Sequence, residues 1–337
     1  MATGAKKTDN AGAALTVAVL MGGPSSEREI SFKSGENVAR AIEGLGHNVR
    51  RLDVNPDDLS VLVSISPDIA FVALHGAFGE DGTIQRRMEE MHLVYTGSGP
   101  EASCMAMDKR LSKARFAEVG LYTPEFRTAR RGDVDSVSRA YGQLGPRVVV
   151  KPPAEGSSIG VSMPASEADC LAEVEALWAS HDSVLIERYI EGRELTVGIL
   201  ADKALPAIEL KPLEGFYDYE SKYLSHETKY LTDIDLPAKL YAEVQDVGER
   251  AHAALGCRDF SRVDIILSSD DTPYVLEVNT IPGFTARSLL PLAAKVAGMD
   301  FAELCQRIVD LALTRSGAAA DCSVDARGRQ TGRKMGD

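Results

Sequence analysis

Three oxygen-bearing side chains near residue 270 are suited to binding a metal ion. Asp264, Glu277 and Asn279 lie in two apolar, strand-like runs, residues 262–267 and 274–279, with a polar Ser-Ser-Asp-Asp-Thr-Pro turn between them. This pattern predicts a β-hairpin. Carboxylate and amide oxygens suit a hard cation such as Mg²⁺ together with the phosphates that it carries.

Symmetric pairing of this hairpin places the polar side chains on one face, because side chains alternate along a strand. Two facing carboxylates repel each other, so a cation between them would stabilise the pair. A solvated outer face of an edge hairpin is the alternative, and the hairpin alone does not decide between the two. The predicted cross-strand pairs are Leu267 with Tyr274, Asp264 with Glu277, and Arg262 with Asn279.

A lysine followed by a glycine-rich loop is suited to binding phosphate. Residues 148–150 predict a strand that ends at Lys151, and the next nine residues, Pro-Pro-Ala-Glu-Gly-Ser-Ser-Ile-Gly, contain two glycines and two hydroxyl groups. Backbone N–H groups and hydroxyls of such a loop can close over a phosphate chain. The lysine precedes the glycines, so this is not a Walker loop. An ordinary turn is the alternative interpretation.

Alternating strand and helix patterns predict an open α/β sheet near the N-terminus. Strands are expected at 15–21, 49–53 and 69–74, with a helix around Val38 to Leu45 at helical spacing. Glycine-rich loops follow the first and third strands, and ligands of such sheets bind at the carboxyl ends of strands. The first loop lacks the G-x-G-x-x-G spacing, so a dinucleotide fold has little direct support.

Composition limits the partners of the chain. Its 337 residues carry 37 Lys and Arg against 50 Asp and Glu, a net charge of −13, which disfavours binding to nucleic acid or to an acidic membrane. Five scattered cysteines without a C-x-x-C pair favour a reduced, cytoplasmic protein. Residues 11–21 imitate a secretory signal but end in Gly-Gly-Pro, so we predict a strand there. No run is long and uncharged enough to span a bilayer.

The ordered set of motifs resembles the D-alanine:D-alanine ligases of the ATP-grasp superfamily, over residues 15–313. The resemblance implies an ATP-grasp fold, α+β in its ATP-binding part, behind an N-terminal Rossmann-like parallel sheet domain. The matching motifs are G-G-x-S-x-E-R-E at 22–29, H-G-x-x-G-E-D-G at 75–82, M-D-K at 107–109, K-P-x-x-x-G-S-S at 151–158, F-Y-D-Y at 216–219, K-Y at 222–223 and E-x-N-x-x-P-G at 277–283.

Composition and the resemblance together predict the domain organisation. Both chain ends are small and polar and are expected to be disordered, and a long loop rich in tyrosine and lysine is typical of a lid. The expected divisions are a tail at 1–14, a substrate-binding α/β domain at 15–103, a central ATP-grasp subdomain at 104–190, a C-terminal catalytic subdomain at 191–314 with a lid at 211–235, and a tail at 315–337.

The resemblance also implies how ATP is bound. Lys109, Lys151, Ser158 and Lys222 would bind the phosphates, Glu187 and Ile190 would face adenine, and Glu194 would bind the ribose. Two Mg²⁺ or Mn²⁺ ions would be bound by Asp264, Glu277 and Asn279, with Glu277 bridging them and the metals relieving the carboxylate repulsion.

The implied reaction is ATP-dependent synthesis of D-alanyl-D-alanine for peptidoglycan. Transfer of the γ-phosphate to one D-alanine gives an acyl phosphate, which the amine of a second D-alanine attacks. Arg262 and the backbone N–H of Gly283 would form the oxyanion hole. The remaining implied roles are Glu27 and His75 at the first substrate, Lys222 at the substrate, Ser288 and Leu289 at the second carboxylate, and a hydrogen-bond link of Tyr223, Ser157 and Glu27.

Three other functions compete with this hypothesis. The same fold could use another D-amino acid or a hydroxy acid as acceptor, although the Tyr223 match favours an amine. A non-catalytic nucleotide-binding regulator would be expected to lose the metal ligands, which are all present here. A nicotinamide oxidoreductase would need the missing dinucleotide fingerprint. The resemblance further implies a cytoplasmic homodimer.

Overall fold

The computed structural model describes residues 14–156, 159–212, 228–285 and 287–327. Three sheets and their covering helices make up this part of the chain. The helices are α1 Arg28–Gly44, α2 Ser60–Ile65, α3 Thr83–Glu90, α4 Pro100–Met107, α5 Lys109–Glu118, α6 Val134–Leu144, α7 Glu167–Trp178, α8 Ala238–Ala254, α9 Leu289–Val296 and α10 Phe301–Arg327. The strands are β1 Thr16–Met21, β2 Asn48–Asp53, β3 Ile69–Val72, β4 Phe126–Arg130, β5 Val148–Lys151, β6 Ser183–Arg188, β7 Gly192–Leu200, β8 Lys203–Ala204, β9 Ile208–Pro212, β10 Thr228–Leu231, β11 Phe260–Ser268 and β12 Pro273–Asn279.

The N-terminal sheet is parallel, in the order β2-β1-β3, as the sequence predicts. Residues of β1 and β3 are almost all buried, since helices cover the sheet. The buried face of α1, which includes Ser34 and Val38, packs against β1, and α10 packs against α1. Phe71 of β3 shares one core with Phe260 of β11 and Phe284. The N-terminal and C-terminal parts are therefore joined by common hydrophobic packing.

The central sheet is antiparallel, in the order β4-β6-β5, with α6 and α7 packed against it. Ser166 caps α7 by accepting a hydrogen bond from the Asp169 N–H, as expected for a capping residue. Its core, which includes Val174, Trp178 and Ile186, is separate from that of the N-terminal sheet. This unit thus has hydrophobic packing of its own.

The C-terminal sheet is antiparallel, in the order β10-β9-β7-β11-β12, with β8 beside β7. Helices α8 and α9 pack against it. Strands β8 and β9 are separated by residues 205–207. Strand β10 lies within the expected lid loop and pairs with β9.

The β11–β12 hairpin confirms most of the predicted register. Asp264 faces Glu277, and Arg262 faces Asn279. The predicted pairing of Leu267 with Tyr274 is wrong, because Tyr274 pairs with Ile266 instead. A register shift after Asp264 leaves one extra residue on β12, which is the signature of a β-bulge.

The C-terminal helix continues beyond its expected end near Leu313. Helix α10 extends to Arg327, and Arg315, where the tail was expected to begin, forms an ion pair with Asp259 and donates a hydrogen bond to the Tyr95 carbonyl. These buried or half-buried contacts stabilise the helix past the boundary that composition suggested. None of the described helices combines the length and the apolar character needed to cross a membrane.

Candidate active site

A cavity of about 300 Å³ opens where the three sheets meet. Its walls come from the loops after β1 and β3, from α5, and from β7, β9, β11 and β12. This volume lies at the lower end of the range for small-molecule sites. Ten of the predicted site residues line it, namely Glu27, His75, Lys109, Glu194, Arg262, Asp264, Glu277, Asn279, Gly283 and Leu289.

Two glycines pack closely around the Glu27 carboxylate. A Cβ atom at Gly76 would lie 2.9 Å from Glu27 Oε2, and one at Gly156 would lie 3.1 Å from the same oxygen. Gly76 also has a φ of +69°, which L side chains rarely adopt. The carboxylate of Glu27, which is expected to bind the first substrate, therefore lies against Gly156 of the expected phosphate loop.

His75 is buried between two polar side chains. Its Nδ1 lies 3.3 Å from Glu80 Oε1, which also accepts the Gly76 N–H, and its Nε2 lies 3.1 Å from Ser34 Oγ. A carboxylate only accepts, so in neutral histidine this arrangement places the proton on Nδ1. The imidazole orientation is thus determined by Ser34 and Glu80, of which the sequence reasoning missed Ser34.

The loop at residues 282–284 is held from two sides. The Phe284 N–H donates to Ser34 Oγ at 3.2 Å, and Asn37 Nδ2 donates to the Phe284 carbonyl at 3.1 Å. The Phe284 ring is fully buried and makes an edge contact with Phe71 at 5.4 Å between ring centroids. The N–H of Gly283, the predicted oxyanion donor, therefore belongs to a loop fixed by the core.

Ser288 and Leu289, the residues expected at the second carboxylate, lie at the start of a helix. Ser288 is the N-cap residue of α9, and Leu289 is the first helical residue. Ser288 Oγ accepts the Thr285 N–H at 2.9 Å, and it lies 2.7 Å from where a Cβ of Gly283 would be. A helix start with free N–H groups favours a carboxylate.

The facing carboxylates of the hairpin already have protein cations beside them. Arg262 donates two hydrogen bonds to Asp264, at 2.9 and 2.7 Å, and Lys109 Nζ lies 3.2 Å from Glu277 Oε2. Burial would raise the pKa of Glu277, but Lys109, Lys151 and Arg262 lower it to about 2. Arg262 and Lys109 thus already relieve the repulsion between the Asp264 and Glu277 carboxylates that the sequence indicated.

Three charged side chains form a buried group beside the cavity. Glu187 of β6 contacts Lys151 Nζ through Oε2 at 2.9 Å and Lys113 Nζ through Oε1 at 3.2 Å. Lys113 was missed by the sequence reasoning. Its spacing of four residues from Lys109 in α5 was the available signal, because residues i and i+4 share one helix face.

The remaining expected residues do not all lie at the cavity. Ile190 is half-buried in the short link between β6 and β7 and is not among the residues lining the cavity. Glu194 lies on β7 and does line it. Ser157, Ser158, Lys222 and Tyr223, with most of the expected lid, lie outside the described residues.

A divalent metal fits the donor chemistry of the cavity wall. Among the described residues no three His, Cys, Asp or Glu side chains form a metal site by themselves. Two carboxylates and the Asn279 amide nevertheless provide oxygen donors at adjacent positions of the β11–β12 pair, and Asn279 Oδ1 accepts the Ile281 N–H at 2.9 Å, which orients it.

Comparison with known proteins decides the family. A family model described as the D-ala D-ala ligase C-terminus matches residues 116–310. The D-alanine–D-alanine ligase of Geobacter sulfurreducens is 45% identical over 295 residues, which cover 87% of this chain and 92% of that protein. The chain belongs to the D-alanine–D-alanine ligase family. Another member of this family, from Desulforudis audaxviator, is 44% identical and covers 89% of the chain and 99% of its own length.

Solved structures of D-alanine–D-alanine ligases share the fold. The ligase from Bacillus anthracis matches with a TM-score of 0.81 and 33% identity, over 91% of this chain and 100% of that chain. A structure of the Bacillus anthracis ligase complexed with ATP matches with a TM-score of 0.79 and 31% identity, over the same shares. The fold is therefore the ATP-grasp fold of this ligase family, with the parallel N-terminal sheet that the sequence predicted.

Proposed function

We propose that this protein uses ATP to join two D-alanine molecules into D-alanyl-D-alanine, with ADP and phosphate as the other products. The observation that carries the proposal is that ten of the predicted residues, drawn from the substrate, nucleotide and metal sets, line one cavity. The names of the relatives agree with this reaction. The product would serve peptidoglycan precursor synthesis.

ATP fits the buried group around Glu187. Glu187 Oε1 is buried and accepts no hydrogen bond from the described residues. Lys113 Nζ lies 3.2 Å from this oxygen as an ion-pair partner, and the exocyclic amine of adenine could donate the hydrogen bond that the oxygen still lacks. Lys151 contacts Glu187 and Lys109 contacts Glu277, so both ammonium groups would be available to the phosphates of a nucleotide whose base lies near Glu187.

The charge of the cavity wall favours metal-bound nucleotide over free nucleotide. Six carboxylates line the described wall, from Glu27, Glu80, Glu155, Glu194, Asp264 and Glu277, against the two permanent cations of Lys109 and Arg262. Free triphosphate would be repelled from such a wall. Two Mg²⁺ or Mn²⁺ ions held by Asp264, Glu277 and Asn279 would supply the compensating charge and polarise the phosphate oxygens.

The protein side chains orient the two substrates. Glu27 would bind the ammonium of the first D-alanine beside His75, whose ring is fixed by Ser34 and Glu80. The Arg262 guanidinium and the Gly283 N–H would stabilise the negative charge that develops during amine attack. The α9 start would hold the second carboxylate, and residues 222–223 would exclude water from the acyl phosphate.

The test is ATP-dependent phosphate release with D-alanine as substrate, compared with L-alanine, D-serine and D-lactate. Release that depends on D-alanine, with formation of the dipeptide, is expected. Release that is no faster with D-alanine, or faster with L-alanine, would refute the proposal. Turnover of D-lactate in preference to D-alanine would move the protein to a different acceptor class. Depletion and readdition of Mg²⁺ or Mn²⁺ in the same assay tests the metal requirement.

The assembly and location inferred from the resemblance are part of this proposal. We expect a homodimer, which sedimentation at micromolar concentration would detect, and a cytoplasmic protein. Among the described side chains Cys104, Cys170, Cys257 and Cys305 are free thiols, which accords with a reducing compartment.

A further inference from the structure

Lys113 is a fully buried ammonium group to which no step of the proposed reaction assigns a role. Its side chain has 0% exposure, although burying a charged group is costly unless the group is well paired. Burial lowers the pKa of Lys113 to about 8, with Glu187 opposing the shift. The group is therefore still protonated at neutral pH, and its position calls for a specific use.

The contacts of Lys113 fix its ammonium in one place. Nζ donates to Thr123 Oγ1 at 2.8 Å, and that hydroxyl donates in turn to the Val275 carbonyl at 2.8 Å. Since the Thr123 proton is directed at Val275, its oxygen is left to accept from the lysine. The ring of Phe126 lies 5.9 Å away and covers another side of the ammonium.

Glu187 is shared between two lysines that differ in freedom. Lys151 contacts Oε2, and as the last residue of β5 it adjoins the loop expected to cover phosphate. Lys113 contacts Oε1 from inside α5, and its side chain is fully buried. When a phosphate chain attracts Lys151, Lys113 stays beside Glu187 as its counter-ion.

We propose that Lys113 is a specificity-determining residue that keeps Glu187 an ionised, acceptor-only carboxylate, so that the base site takes 6-amino purines and rejects 6-oxo purines. This inference rests on the proposed use of ATP. An ionised carboxylate can only accept, and the amino group of adenine donates to it. The 6-oxygen of hypoxanthine or guanine presents lone pairs to the same carboxylate and is repelled.

The alternative state of Glu187 explains why the counter-ion matters. Without Lys113, only Lys151 would remain beside Glu187, and a bound phosphate chain would attract that lysine. A buried carboxylate that loses its nearby cations tends to take up a proton, because burial disfavours its charged form. A protonated Glu187 carries one O–H donor and can serve a 6-oxo group. Loss of Lys113 should therefore weaken the preference for ATP over inosine triphosphate and should not affect the two nucleotides equally.

The experiment measures equilibrium binding of ATP and inosine triphosphate, each with Mg²⁺, by calorimetry on the full chain without D-alanine. Lys113→Met is compared with wild type and with Lys239→Met, an exposed lysine of α8 that loses the same charge. The dissociation constant for inosine triphosphate divided by that for ATP measures the preference for ATP. This ratio should fall about tenfold or more in Lys113→Met and stay unchanged in Lys239→Met. Thermal unfolding of each variant reports whether it is folded.

A second pair of variants keeps the test decisive. Glu187→Gln, which has both a donor and an acceptor, should lose the preference by itself, and adding Lys113→Met to it should change the ratio no further. If Lys113→Met does not fold, Thr123→Val removes the hydrogen bond that fixes the ammonium, and its ratio should fall in the same direction. An unchanged ratio in the folded variants overturns the inference. Failure of the wild type to bind either nucleotide would instead refute the proposed function.

Discussion

Replacement of Ser34 by alanine removes one hydroxyl that contacts both the histidine of the first-substrate loop and the 282–284 loop. Ser34 is fully buried, accepts the Phe284 N–H at 3.2 Å and lies 3.1 Å from His75 Nε2. The variant leaves a buried N–H without a partner, which costs about 1–3 kcal/mol, and loses a second hydrogen bond worth about 1 kcal/mol. We expect a stability loss of roughly 2–4 kcal/mol.

The same change should lower turnover, because His75 and the neighbouring Gly283 N–H both lose their support. Misplacement rather than removal of these groups is expected to reduce kcat on the order of tenfold and to raise the KM of the first D-alanine. Urea unfolding measures the stability change, and ADP release as a function of D-alanine concentration measures the kinetics.

The control is Ser31→Ala in the same helix. Ser31 is also fully buried, and its hydroxyl donates to the Ala73 carbonyl at 2.7 Å, away from His75 and Phe284. It should lose about 1 kcal/mol of stability with near-normal kinetics. If Ser34→Ala showed the same kinetics as Ser31→Ala, the positioning role of Ser34 would be wrong.

Three other changes give sharp outcomes. Glu277→Gln should keep the fold and abolish ADP release, whereas Glu175→Gln on an exposed part of α7 should do neither; near-normal turnover would contradict the metal role. The pKa of Glu277 is lowered from its ordinary value of 4.5 to about 2, so its ionised form stabilises the fold at any pH above 4.5. This stability is lost as the pH falls from 4.5 through about 2. In acid unfolding, wild type should therefore lose more stability than Glu277→Gln over that pH range. Gly283→Ala places a Cβ 2.7 Å from Ser288 Oγ and should reduce kcat by on the order of tenfold. ATP binding, measured by calorimetry, should stay intact. Equal losses of kcat and of ATP affinity would point to general disruption. Tyr223→Phe should disturb acceptor kinetics more than ATP affinity, and unchanged acceptor KM and kcat would count against the lid hypothesis.

Sequence patterns were sufficient for the N-terminal α/β pattern and for the part of the hairpin that bears the site. Strand periodicity and turn chemistry placed Asp264 opposite Glu277 correctly. They failed three residues away at Tyr274, because a β-bulge depends on packing of both faces and leaves no local signal. The bulge lies directly beside the predicted metal ligands, so the irregular part of the strand coincides with the functional part.

Charge pairing between distant segments was not predictable from the sequence. The contacts of Lys109 with Glu277 and of Lys113 with Glu187 join helix α5 to β12 and β6, and nothing in local composition specifies such partners. Spacing in α5 indicates only that the two lysines share a face. The extension of α10 past Arg315 has the same origin, since its partner Asp259 is distant in sequence.

The burial of Phe284 has a consequence for how the enzyme opens. Its ring packs among Phe71, Phe260 and Phe301, and its backbone is bonded to α1 at Ser34 and Asn37. We therefore expect the N-terminal sheet and the 282–284 loop to move as one rigid body, because any displacement between them would break buried hydrogen bonds and expose aromatic surface. The core of the central sheet is separate, so we expect this sheet to be the part that moves when nucleotide enters. Substitutions that loosen the aromatic cluster should thus alter the amino acid sites first and leave nucleotide entry unaffected.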